Sequence, residues 1–111
     1  MSEIVRFNSK SAILTGGSIK LEVGAAEKTF TSDVTIPSLA NYCVIRAEAN
    51  AATTTTTIAR FYTTTDSPSA SAGIPIGNLD VLVFTKDQFV NLSFISVDAN
   101  NQVLYFQWFQ V

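Results

Sequence analysis

The sequence predicts an all-β protein, an antiparallel β-sandwich or small barrel of about seven to nine short strands. Three observations predict it. Apolar and β-branched runs recur at fairly regular spacing, separated by Gly, Pro, Asn, Asp and Ser. No stretch of useful length repeats its apolar residues at helical period. Residues 79–111 read as three strands in succession, with a turn at Asp98-Ala99-Asn100-Asn101 between the last two.

The elements follow in order. Residues 1–11 form a predicted N-terminal arm ahead of a single domain over 12–111. Residues 4–7 alternate briefly and suit either an edge strand or an extended arm. Gly16-Gly17 is a turn signal, which makes a hairpin of 12–15 with 18–23 the expected start of the domain. In the second of these strands Ile19, Leu21 and Val23 share one face and Lys20 and Glu22 the other. Residues 24–27 read as a loop or one helical turn, and 28–31 alternate again. Pro37 holds Ile36 extended. Residues 42–49 place Cys43, Ile45, Ala47 and Ala49 on one face, with Tyr42, Val44, Arg46 and Glu48 on the other. The threonine run 53–57 leads from an exposed loop into a strand that starts near Thr56 and continues over 58–62. Residues 63–72 are a loop with turn chemistry at Asp66, Ser67 and Pro68. Pro75 keeps its strand off the middle of a sheet. Residues 79–84 form a strand, and Lys86-Asp87-Gln88 the turn after it.

The predicted core draws on Leu21, Val23, Cys43, Ile45, Phe61, Ile74, Ile76, Leu82, Phe84, Leu92, Phe94, Leu104 and Phe106. Cys43, between Tyr42 and Val44, belongs to it. As the only cysteine it can form no internal disulfide.

Composition narrows the function. Charged residues make up 14% of the chain, against about 25% in ordinary soluble domains. Net charge is −2 with Lys and Arg scattered singly, so there is no basic stripe for nucleic acid. No apolar run approaches the ~18 residues that a membrane span needs. Residues 1–6 lack the basic-then-apolar pattern of a signal peptide.

Catalytic chemistry has no foothold in this sequence. The chain contains no histidine, which removes most general-base, triad and transition-metal arrangements. No serine sits in a G-x-S-x-G elbow. Asp66, Asp80, Asp87 and Asp98 lie in or beside turns, without the spacing of a calcium loop. No enzyme activity, cofactor or metal is expected.

The terminal strand carries the functional expectation. Leu104, Phe106 and Trp108 share one face; Val103, Tyr105, Phe109 and Val111 share the other. In a sandwich one face meets the core, and the opposite face needs cover from another chain. Tyr105, Trp108 and Phe109 are the predicted interface residues, joined by Ile4 and Phe7 of the arm. Two other outcomes stay open: both faces buried within the domain, or Tyr105 or Trp108 exposed as a stacking platform.

A family resemblance rests on particular segments. Val44-Ile45-Arg46-Ala47-Glu48 is followed by Ala59-Arg60-Phe61-Tyr62-Thr63-Thr64. Then come Pro68-Ser69-Ala70-Ser71-Ala72-Gly73-Ile74-Pro75-Ile76, Asp80-Val81-Leu82, Phe94-Ile95-Ser96-Val97 and Leu104-Tyr105-Phe106. In order and spacing these resemble a group of small bacteriophage virion proteins over residues 42–107. The family tends to carry a glycine-rich turn before its arginine strand, where this chain has the threonine run.

The resemblance implies a non-enzymatic structural protein made in the host cytoplasm and placed on the capsid surface as a cement or decoration protein. The implied partners are the major capsid protein and further copies of the chain, as a dimer or trimer. The alternatives are a tail component (fibre, knob or baseplate) and a carbohydrate- or receptor-binding sandwich using Tyr62, Tyr105 or Trp108.

Overall fold

Alternation along the C-terminal run sets the architecture. The computed structural model describes residues 12–111. The final strand, β9 (Gln102–Gln110), buries Gln102, Leu104, Phe106 and Trp108 on one side and turns Tyr105 and Gln107 outward. It lies inside a five-stranded antiparallel sheet. Along one edge it pairs with β4 (Tyr42–Glu48), from Tyr42–Phe109 to Glu48–Val103. Along the other it pairs with β1 (Ala12–Leu14) and β2 (Lys20–Val23). Beyond β4 lies β7 (Val81–Thr85). The second sheet runs β3 (Lys28–Thr29), β8 (Ser93–Ser96), β5 (Thr57–Tyr62), β6 (Ile74–Gly77), also antiparallel. Among the described residues the chain forms nine strands in two antiparallel sheets, so of the expected sandwich or small barrel of seven to nine strands it is the sandwich. Pro75 sits in β6, an edge strand, where its missing N–H costs no ladder bond.

One core draws on both sheets: Val23, Cys43, Ile45, Phe84, Leu104, Phe106 and Trp108 from the first, Ile58, Phe61, Ile76 and Phe94 from the second. Two single-turn helices add to it where the chain crosses between sheets. α1 (Phe30–Asp33) buries Phe30 and α2 (Lys86–Phe89) buries Phe89. The Phe30 ring lies 5.3 Å from Phe106, 5.8 Å from Phe94, 6.0 Å from Trp108 and 6.4 Å from Phe89. Such tilted and edge-on packing suits the ring quadrupoles. Local bonds hold both turns. Asp33 accepts from Thr29 N–H (2.8 Å) and Gln88 Oε1 from Thr85 N–H (2.9 Å).

Several expectations are corrected. The Gly16-Gly17 hairpin does not form, because β1 and β2 lie one after the other along the same edge of β9. Leu14 faces Trp108 and Lys20 faces Tyr105, so six residues advance against three and the excess bulges out. The bulge is tied down: Ser18 N–H donates to Thr35 O, Thr35 N–H to Ser18 Oγ, and the Trp108 indole to Ser18 O, each at 2.8 Å. Gly17 is required here, since a Cβ would lie 2.6 Å from both Pro37 Cδ and Trp108 Nε1. Ile19, placed at the bulge, is exposed rather than facing inward with Leu21. Ile74 is half exposed on the β6 edge, whereas Ile76 is fully buried. The strand expected from residue 79 begins at Val81, and Leu79 takes the left-handed conformation, φ 66°. The stretch expected as a turn at 86–88 is part of α2, and the alternating run at 28–31 is half strand, half helix.

Candidate interface on the five-stranded sheet

The outward face of the five-stranded sheet is built by alternation in four strand tracks. Reading across from β2, Lys20 stands beside Tyr105, then Arg46, then Val81. In the next row Glu22 stands beside Val103 and Glu48. The row on the other side holds Gln107, Val44 and Val83. A further row holds Ile13, Phe109, Tyr42 and Thr85. Ile13, Val81, Val83 and Tyr105 are 64%, 59%, 49% and 43% exposed. Large apolar side chains at this exposure, grouped on one face, are what contact surfaces carry. Val44, Arg46, Val81, Tyr105 and Gln107 line a shallow open groove of about 400 Å³.

The predicted interface residues separate. Tyr105 is on this face and open to solvent. Trp108 is not a surface residue: it is 2% exposed, on the inner side of β9, with Phe89 at 5.6 Å and Phe106 at 5.9 Å. Its indole N–H is satisfied within the chain, so the interface and sugar-stacking roles considered for Trp108 give way to a core role. Phe109 belongs to the outer side by register but is only 9% exposed and offers little free surface. Ile4, Phe7 and the arm lie outside the described residues. Sequence reasoning missed Val81, Val83, Lys20 and Glu22 as members of the face. The signal was present in the alternation of β2 and β7, but nothing in the sequence says that β2, β9, β4 and β7 are neighbours.

The other polar features hold structure. Gln102 is fully buried at one end of the sandwich. Its carbonyl accepts from Asn50 N–H (2.7 Å), and its amide donates to Thr53 Oγ1 (2.7 Å) and Ser96 Oγ (3.3 Å). A buried amide needs such partners. Nearby, the Asn100 backbone N–H holds the Asp98 carboxyl below its usual range, with Asn100, Thr53 and Ser96 side chains helping against partial desolvation. Arg60 donates to Gly73 O (2.9 Å) and Ala70 O (3.3 Å), closing the 63–73 loop onto β5. Gly73, at φ 129°, packs where a Cβ would lie 3.1 Å from Arg60 Cβ. Strand β5 and the turn from Pro68 to Gly73 are therefore partners in holding a loop.

Burial pushes the Cys43 thiol up to about 12. The thiol stays protonated and shielded in the fold. Its contribution to stability is fully present below the ordinary thiol value of 9.0 and is lost as pH rises toward 12. Native protein at pH 8 should leave a disulfide exchange reagent unreacted, and urea-unfolded protein should release one equivalent of chromophore. Rapid reaction of the native protein would show that Cys43 is accessible. No group of three or more acidic, Cys or His side chains among the described residues is placed to hold a metal ion.

Comparison of the chain with protein-family models, with curated proteins and with solved structures gives no match.

Proposed function

We propose that this chain is a structural protein of a bacteriophage particle, acting on the capsid as a cement or decoration protein. The observation that carries the proposal is the outward face of the five-stranded sheet. It sets Val81, Val83 and Tyr105 in the open, on a chain with few charges to solvate them. A rigid sheet face of this kind suits contact with neighbouring shell subunits, because its backbone is already ordered and docking costs little conformational entropy. The segment resemblance to small virion proteins points the same way. Its arginine-strand and turn elements form one interlocked unit in this fold.

In this reading the major capsid protein is the partner, and the protein works by bridging rather than by chemistry. Immunogold labelling of gradient-purified particles of a virus encoding the chain is the test. Gold over the head shell is the expected result. Gold confined to the tail would move the assignment to a tail component, and purified particles lacking the chain by mass spectrometry would overturn a virion role.

A further inference from the structure

The two rows at one end of the outward face have opposite charge and matching polarity. Lys20, Tyr105, Arg46 and Val81 form one row. Glu22, Val103 and Glu48 form the next. Beyond the β4–β7 ladder both Leu79 and Asp80 pair with Ala47: the Leu79 N–H donates to Ala47 O and the Ala47 N–H to Asp80 O, each at 2.9 Å. Leu79 is 53% exposed and holds a positive φ that leucine seldom adopts. The turn thus holds a large apolar side chain out in solvent.

We infer that a second copy of this chain docks face to face on these two rows. Consider a two-fold axis lying between the stacked sheets, perpendicular to the strands and midway between the rows. It sets each row against the other row of the partner copy, at the same position across the sheet. Lys20 then meets Glu22 of the second copy, Arg46 meets Glu48 and Tyr105 meets Val103. Each contact occurs twice, as an isologous interface requires. A two-fold parallel to the strands would set Lys20 against Val81 and gain none of this. Charge complementarity thus selects both the occupant and the axis.

The footprint is small. Four strand tracks at about 4.8 Å and some four residues of strand give roughly 19 by 13 Å per copy, well under the roughly 1,000 Å² in total that a stable specific contact clears. The free dimer is therefore weak, and it tightens when copies are held close on a common surface. The contact leaves Val44, Val83 and Ile13 open for a different partner. The inference rests on the reading of this face as an assembly surface. It is measured on free protein, so its failure is separate from the outcome of particle labelling.

The experiment is sedimentation velocity from about 10 µM to about 1 mM on the wild type and two charge reversals, Arg46→Glu and Glu48→Arg. Both positions are exposed, and circular dichroism checks that the variants fold. The wild type should dimerise reversibly, and more weakly at high salt. Each reversal puts like charges opposite one another and should raise the dissociation constant tenfold or more. The two variants mixed one to one restore opposite charges at every contact and should form a heterodimer as readily as the wild type pairs. A wild type that stays monomeric or forms trimers, reversals that leave association unchanged, or a mixture that fails to pair would each overturn the inference.

Discussion

Trp108→Ala should destabilise the protein by about 3–5 kcal/mol, the usual cost of emptying a large aromatic site in a core. For a chain of this size that lowers the melting temperature by roughly 10–20 °C. Two losses combine. The ring is 2% exposed and packs on Phe30, Phe89 and Phe106. The indole N–H also anchors Ser18 O, so its removal frees the bulge that lets β1 and β2 share one edge. Trp108→Phe separates the terms, keeping most of the apolar contact and giving up a bond worth about 1 kcal/mol. Trp108 is the single tryptophan, so both variants lose its emission, and urea unfolding of all forms is followed by far-ultraviolet circular dichroism. A small change in midpoint for Trp108→Ala, with lost self-association, would return Trp108 to an interface.

Phe30→Ala should cost a similar amount, about 3–5 kcal/mol, although Phe30 sits in a helix of one turn. It is fully buried and its ring touches four other aromatics. Those neighbours come from α2, β8 and β9, so the cavity opens between the two sheets. Urea denaturation of Phe30→Ala, Trp108→Ala and the double variant forms a cycle. Because the rings share contacts 6.0 Å apart, the double variant should lose less than the two singles added. Strict additivity would mean that the two rings stabilise separate parts of the fold.

These two residues also mark where sequence reasoning succeeded and where it stopped. The strands β4, β8 and β9 were legible because alternation over four or more residues names both element and inner face. Cys43, Ile45, Phe94, Leu104 and Phe106 fall where it places them. Phe30 was not, because Lys28–Thr29 is too short for any period and the chain turns helical at once. Phe89 follows the same rule in α2. Trp108 was placed on the correct face but given the wrong neighbour: period two says which residues share a side, not what lies against that side. The glycine pair misled for a related reason. Gly16 does take a positive φ of 85°, as a hairpin turn would ask, but β9 was long enough to take both strands on one edge.

The sequence by itself determined that the chain is all-β, that its last strand is organising, and which residues alternate inward, because those follow from local period, turn residues and composition. The tertiary structure alone decided that β2, β9, β4 and β7 stand side by side. That order brings Lys20, Tyr105, Arg46 and Val81 into one row and Glu22, Val103 and Glu48 into the next. Strand order depends on long-range pairing energies, which no local window of the chain contains.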